Sequence, residues 1–243
     1  RMSTKRIVAF GCSITRGEAL PDVYSTTIDD PKHRWPSNYS WPSQLGKKFN
    51  LGVLNLGKSG TSNKYICKQM LDANLKSNDI VVFMWTYFAR TCVFDDPEEK
   101  RIIPNYLAWK EKDNINISKT HRKHLQHMFE YCENYFRNYF TWQDCFYESL
   151  QQMNFAKLYL DSKGIKNYHT TCEQLPYRGT ITKQTSWFKF NVEKEVFFDM
   201  PQWNTVNLQQ INLYDNNAAD EDHPSVKAHK RIAKDIYKFI SKN

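Results

Sequence analysis

The segment DIVVFMW, residues 79–85, carries the strongest strand pattern in the chain. It is a short, continuous run of β-branched and aromatic residues, which is typical of a strand that is buried on both faces. Strands of this kind occur in parallel sheets that are covered by helices on either side. We therefore expect an α/β fold built around this strand.

The segments before it alternate between strand and helix patterns. KRIVAF (residues 5–10) and GVLNLG (residues 52–57) are strand-like, whereas residues 40–49 and 61–76 have the apolar spacing of amphipathic helices. The order strand, helix, strand, helix, strand is typical of βαβ units. This half of the chain therefore predicts a parallel sheet.

The segments after it extend the same pattern. Residues 118–160 predict one or two helices rich in Phe and Tyr, and residues 164–172 and 211–215 predict a fourth and a fifth strand. HPSVKAHKRIAKDIYKFI predicts a closing helix with one apolar face. We expect a sheet of about five strands.

Two segments interrupt this regular order. Residues 95–116 are loop-like, and residues 176–219 are irregular and rich in aromatic side chains. We expect one domain over residues 2–243, with a helical and irregular insertion at about 95–160 and a lid-like loop region at about 176–219. Trp187 and Trp203 in the second segment are candidates for binding substrate, with a place in the core as the alternative.

The composition limits the classes of partner and of location. The formal net charge of +8 favours anionic partners. Most basic residues are spread along the chain, apart from those in the last helix, and nucleic-acid-binding motifs are absent from the sequence. We therefore expect a solvated basic surface without a nucleic-acid partner. A basic nucleic-acid-associated protein is the alternative, and the oligomeric state stays open.

The N-terminal segment lacks the apolar region of a signal peptide, and no apolar run reaches the roughly 18 residues of a membrane helix. We expect a cytoplasmic protein, with no membrane partner, whose six cysteines are reduced thiols.

A candidate nucleophile follows the first strand. In AFGCSITRG, Ser13 stands where a strand turns into a helix, at the sheet edge where parallel α/β folds place their sites. Its hydroxyl can project from this turn, and its own N–H can face a developing oxyanion. The alternative is a serine that only caps the next helix.

A candidate base and acid precede the last helix. In DEDHPS, Asp220 lies three residues before His223, so its carboxylate can reach one imidazole nitrogen and leave the other facing Ser13. The alternative is an acidic flank that complements the helix dipole. The motif H-x-x-H-x-x-H at His121, His124 and His127 is interpreted as a basic helix face, because the third histidine turns away from the first two.

Gly-x-Ser after strand one, NLGKSGTSN after strand two and D-x-x-H-P before the last helix together resemble the SGNH hydrolases, also called GDSL esterases and lipases. A branch of that family that is found often in phage and environmental sequences is similar to this chain at FGCSIT, SWPSQL and VVFMWT. If the chain is of phage origin, a virion-associated location would also fit. The resemblance covers residues 5–90 and 220–240.

The resemblance implies a flavodoxin-like three-layer α/β/α sandwich and ester hydrolysis through an acyl-enzyme, without metal or other cofactor. It implies Ser13 as the nucleophile, His223 as the base and Asp220 as the orienting acid. It also implies that the backbone N–H of Gly60 joins that of Ser13 in the oxyanion hole, with Gly57 as the other candidate. Its habitual substrates favour a small-molecule or glycan ester, above all an O-acetylated carbohydrate.

Two departures from the family pattern bear on activity. The family usually has Gly-Asp-Ser after the first strand, and here Cys12 replaces the Asp, which leaves Ser13 as the favoured nucleophile and Cys12 as an alternative. The family usually has an Asn after the third strand, but this chain reads MWTYFAR there, so Thr86, Asn63 or Arg90 is left to supply the missing donor. Loss of one oxyanion donor costs about 10²–10³ in kcat. The sequence therefore predicts weak esterase activity. The alternative is a catalytically degenerate domain that binds a glycan or an anionic polymer.

Overall fold

A computed structural model describes residues 5–24, 35–95, 98–102, 119–172 and 223–242. The helices and strands of these residues are, in chain order, β1 (Arg6–Gly11), α1 (Ser13–Arg16), α2 (Trp41–Phe49), β2 (Gly52–Asn55), α3 (Asn63–Asp72), β3 (Ile80–Trp85), β4 (Thr91–Asp95), β5 (Glu98–Ile102), α4 (Lys119–Asn138), α5 (Trp142–Ser162), β6 (Lys166–Thr171) and α6 (Val226–Ile240).

The central sheet has the strand order β2-β1-β3-β6, and its neighbouring strands are parallel. This is the flavodoxin-like order, in which the first strand lies between the second and the third. The four strands expected from residues 5–172 are confirmed. The fifth expected strand, residues 211–215, lies outside the described residues.

The apolar runs in β1 and β3 are continuous because both faces of the sheet are covered. Ile7 and Ala9 contribute to the core on one face, whereas Val8 and Phe10 contribute to the core on the other. The side chains of β3 alternate in the same way, as expected for a pleated strand with period two.

Helices form the two outer layers of the fold. The core on one face includes apolar side chains of α2 and α6, and the core on the opposite face includes those of α3 and α5. The expected three-layer α/β/α architecture is therefore confirmed. Within the described part of the chain, no helix is both long enough and apolar enough to span a membrane.

The expectation of a loop over residues 95–116 is wrong at its start. β5 pairs in antiparallel fashion with β4, with Thr91 opposite Ile102. The EEKR sequence of β5 has low β propensity and little apolar alternation, so the local pattern does not predict a strand. Packing of Ile102 against Cys132 of α4 stabilises the hairpin instead, and that contact is invisible to local sequence.

Candidate active site

The carboxyl ends of β1 and β3 meet at the point where the strand order reverses. β1 is hydrogen-bonded to β2 on one side and to β3 on the other, and Gly11 at its end is paired with Met84. In open parallel sheets the crevice at this reversal is the usual binding site. Ser13 therefore emerges beside the residues that follow β3, of which Thr86 is the first.

Ser13 begins a single helical turn that is closed at both ends by backbone hydrogen bonds. Arg16 N donates to Cys12 O at 3.0 Å, and Gly17 N donates to Ser13 O at 2.9 Å. Gly17 has a φ of 82°, a left-handed conformation that favours glycine and ends the helix. The Ser13 residue is 8% exposed, so it is held in a packed turn at the sheet edge.

The loop between β2 and α3 lies against this turn. Lys58 N donates to Gly11 O at 3.0 Å, and Asn55 Nδ2 donates to Thr15 O at 2.8 Å. A Cβ on Gly57 would lie 2.4 Å from Arg16 N, which is a clash with backbone. Gly57 therefore permits close approach of the loop to α1, whereas Gly60, with a φ of 66°, lies further along the same loop.

Salt-bridging side chains add a second connection between this loop and α1. Arg16 lies 3.7 Å from Glu18, its Nη1 donates to Ser59 Oγ at 3.4 Å, and the Ser59 hydroxyl donates to Glu18. Ser59 directly precedes Gly60, so these contacts help to fix where the Gly60 N–H lies relative to the Ser13 turn.

Asn63 connects the start of α3 to the end of β3. Thr86 N donates to Asn63 Oδ1 at 2.8 Å, and Asn63 Nδ2 donates to Thr86 O at 3.1 Å and to Ser149 Oγ at 2.9 Å. The amide of Asn63 has two hydrogens to donate, and these two bonds use both. The sequence offered Asn63 as an oxyanion donor. In this arrangement its amide hydrogens are already used, and Asn63 positions Thr86 instead.

Thr86 and Arg90 are hydrogen-bonded to each other, and both act on the buried thiol of Cys12. Arg90 Nη1 donates to Thr86 Oγ1 at 3.0 Å, and the Cys12 and Cys172 sulfurs lie 3.7 Å apart. The hydrogen bond with Cys172, the positive charge of Arg90 and a hydrogen bond with Thr86 hold the pKa of Cys12 well below its ordinary value. The ends of β1, β3 and β6 thus converge on one sulfur.

His223 lies two residues before the N-cap of α6 and is half-buried. The first turns of α6 are fixed to α2, because Trp41 N donates to Nδ1 of buried His229 at 3.1 Å. Burial and, to a smaller extent, the nearby charge of His223 lower the pKa of His229 to about 3. Ala228 of α6 and Ile14 of α1 contribute to the same core, so this helix start and the Ser13 turn belong to one packed unit.

The structure brings most of the sequence-derived candidates to one edge of the sheet. Ser13, Gly60, Asn63, Thr86 and Arg90 lie on the segments that follow β1, β2 and β3. Asp220, Trp187 and Trp203 lie outside the described residues, so those three remain sequence predictions.

Two residues at this edge were not singled out from the sequence as part of the site. Cys172 is the last residue of the predicted fourth strand and directly follows β6, and that position was its only signal. His229 occupies the apolar face of a predicted amphipathic helix, where a histidine needs a hydrogen-bond partner if it is buried.

No protein-family model and no curated protein matches the chain. Among solved structures, it is similar to an acetyl xylan esterase from Butyrivibrio proteoclasticus, with a TM-score of 0.49 and 13% identity, covering 99% of this chain and 64% of that one. It is similar to a Geobacillus acetyl-xylooligosaccharide esterase variant, with a TM-score of 0.43 and 17% identity over 98% of this chain and 94% of that one.

A third similar structure is a member of the lipolytic protein G-D-S-L family from Veillonella parvula, with a TM-score of 0.35 and 14% identity over 98% of this chain and 100% of that one. At these identities and TM-scores, a function must be argued from the side chains of this chain. Those side chains form a packed polar cluster around Ser13, Thr86 and Cys12 at the switch point of a parallel α/β sheet.

Proposed function

We propose that the protein is a serine esterase in which Ser13 is the nucleophile, His223 the general base and Asp220 the acid that orients it. The observation that carries this proposal is the position of Ser13. It begins the turn after β1, at the reversal point of the sheet, with the Gly60 loop packed against the same turn. Sites in open parallel sheets lie at this edge.

The proposed reaction has two steps. His223 takes the Ser13 proton as the hydroxyl oxygen attacks the ester carbonyl, and the N–H groups of Ser13 and Gly60 stabilise the oxyanion. His223 then protonates the leaving alcohol, and water hydrolyses the acyl-enzyme by the same route.

Thr86 is the proposed third donor to the oxyanion, in place of the family's asparagine. Its N–H already donates to Asn63, so the proposed donor is its hydroxyl, which would turn from Cys12 to the oxyanion when an ester binds. Asn63 fixes its backbone through two hydrogen bonds, and the Arg90 guanidinium fixes its hydroxyl. The guanidinium also brings a positive charge to the edge where negative charge develops. We propose Arg90 as a substrate-binding residue on the same grounds.

The proposed substrate class is an O-acetylated carbohydrate. The support is the aromatic segment at residues 176–219, with Trp187 and Trp203, which directly precedes the proposed acid and base in sequence. Aromatic rings combine a large apolar face with a polar edge, which suits the stacking of a sugar ring.

The first test is reaction with a fluorophosphonate, read by intact mass. We expect one adduct on the wild-type protein and none on Ser13→Ala, and we expect His223→Ala to lose labelling because the hydroxyl lacks its base. Folding of each variant is checked by thermal unfolding. A well-folded wild-type protein that takes no adduct would sink the esterase proposal.

Cys12→Ser is the matched control for the nucleophile, because Cys12 is adjacent to Ser13 and is fully buried. The adduct should persist in this variant, with peptide mapping to Ser13. An adduct lost in Cys12→Ser but kept in Ser13→Ala would make the thiol the nucleophile. Release of acetate from acetylated oligosaccharides then tests the substrate class.

A further inference from the structure

The outer surface of the helix pair α2 and α6 forms an open basic groove of about 730 Å³. Six cationic side chains line it, and they are Lys47, Lys48, Lys230, Arg231, Lys234 and Lys238. One carboxylate, Asp235, and one amide, Gln44, complete the described lining. The groove therefore concentrates positive charge in a protein whose formal net charge is +8.

The tertiary fold creates this concentration. Lys47 and Lys48 lie in the last turn of α2, and the other four cations lie on α6, more than 180 positions later in the chain. Packing of the two helices on the same sheet face brings the two sets together. The fold therefore adds the two lysines of α2 to the basic cluster that the sequence already shows in the last helix.

The cations of α6 form an ordered row. Lys230, Lys234 and Lys238 are exposed and occur at intervals of four residues, which corresponds to a rise of about 6 Å per interval along a helix. A linear polymer with regularly repeated negative charge matches such a row better than a single small anion does, because each turn of the helix then meets a separate charge.

The composition of the lining indicates which polymer fits. Among the described side chains of the groove, none is aromatic, so the stacking that holds single-stranded nucleic acid is not provided. Recognition of an RNA duplex uses contacts to its 2′-hydroxyls, for which Gln44 is the one uncharged polar side chain in this lining. Lysine acts as a point charge towards phosphates, independent of base sequence.

We propose that this groove binds the phosphodiester backbone of a DNA duplex without reading its sequence. The proposal is independent of ester hydrolysis, because the groove is lined by the outer surfaces of α2 and α6, whereas Ser13 lies in the turn after β1. It also reverses the expectation, drawn from the sequence, that nucleic acid is not a partner.

The test is binding of the full chain to a labelled mixed-sequence DNA duplex across a salt series of about 50–200 mM. The triple variant Lys230→Glu, Lys234→Glu, Lys238→Glu should bind at least about 10-fold more weakly. Its slope of log affinity against log salt should fall by about 3, since each lost phosphate contact removes about 0.9. Ser13→Ala should bind as the wild type does.

The matched control is Lys76→Glu, Lys163→Glu, Lys166→Glu, which changes the net charge equally at exposed positions outside the groove. This control should keep wild-type affinity to within about threefold, and both triple variants should unfold at similar temperatures. An equal loss in the control would overturn the groove as the site. Tighter binding of an RNA duplex or a sulfated polysaccharide at the same salt would overturn DNA as the partner.

Discussion

Asn63 and Thr86 are joined by two hydrogen bonds, one in each direction. The Thr86 backbone N–H donates to Asn63 Oδ1 at 2.8 Å, and Asn63 Nδ2 donates back to the Thr86 carbonyl at 3.1 Å. The side chain of the first residue of α3 thus completes the backbone hydrogen bonding of the residue after β3, as a neighbouring strand would. This pair fixes the residue that the proposed oxyanion site would use.

Asn63→Asp should weaken the site and the fold together. The carboxylate can still accept from Thr86 N, but it cannot donate to Thr86 O or to Ser149 Oγ, and it brings a buried charge. We expect fluorophosphonate labelling to slow by about 10-fold, equivalent to about 1.4 kcal/mol, and stability to fall by about 1–3 kcal/mol. Labelling kinetics and chemical denaturation measure the two effects.

Ser149→Ala is the control for that variant. It removes one partner of Asn63 and leaves both bonds to Thr86, so labelling should stay near the wild-type rate. If Ser149→Ala slowed labelling as much as Asn63→Asp does, the bonds to Thr86 would not be the ones that matter.

Oxidation should join Cys12 to Cys172. Their sulfurs lie 3.7 Å apart, so they must move closer by about 1.7 Å to reach a disulfide bond length. With diamide as oxidant, the two thiols lose two hydrogens, the reagent becomes its hydrazine, and the protein mass falls by two hydrogens. The bond would pull on the turn that carries Ser13, so labelling should drop and return with a reductant.

Cys172→Ser removes one of the two sulfurs and should keep its labelling in diamide. Cys67→Ser is the matched control, since burial raises the pKa of Cys67 to about 11 and leaves it a poor nucleophile. Loss of labelling in oxidised Cys172→Ser would show that another thiol causes the inactivation.

Gly57→Ala should destabilise the Ser13 turn. The added Cβ would lie 2.4 Å from Arg16 N and 2.8 Å from the carbonyl carbon of Thr15, and these backbone atoms cannot turn aside. A cost of about 1–3 kcal/mol is typical of such overpacking. Gly52→Ala is the control, because nothing lies within 4 Å of its Cβ position, and its effect should stay within about 0.5 kcal/mol. Denaturation midpoints compare the two, and equal losses would contradict the close approach.

Acid should destabilise the protein through its buried histidines. Burial lowers the folded-state pKa of His229 and of His169 to about 3, against 6.5 as the ordinary value. Between these values the unfolded chain binds the proton and the folded chain does not, so stability is lost as the pH falls below 6.5. At about pH 5 each histidine should cost about 2 kcal/mol.

His229→Gln tests this assignment, because glutamine can still accept from Trp41 N but does not titrate. The variant should lose less stability between about pH 7 and about pH 5 than the wild type does, as measured by urea denaturation. An unchanged pH dependence would mean that His229 is already protonated when folded, or that it titrates alike in both states.

The amino-acid sequence alone is sufficient to predict the layered architecture. Runs such as DIVVFMW are apolar on both faces of a strand, and the alternation with amphipathic helices leaves a parallel sheet as the arrangement that buries them. It also placed Ser13 at the end of the first strand, because the order of elements fixes which residues follow each strand.

The pairing of the polar side chains, in contrast, depends on contacts that form only in the folded chain. The contact between Asn63 and Thr86 spans 23 positions of the chain, and that between Cys12 and Cys172 spans 160. Local sequence periodicity does not predict contacts between residues so far apart. The same holds for the hairpin of β4 and β5, because its charged second strand depends on packing against α4. It also holds for the basic groove, because the lysines of α2 and those of α6 meet only when both helices cover one face of the sheet. Local patterns encode backbone conformation and burial, whereas the chemistry at the sheet edge depends on which loops the folded sheet brings together.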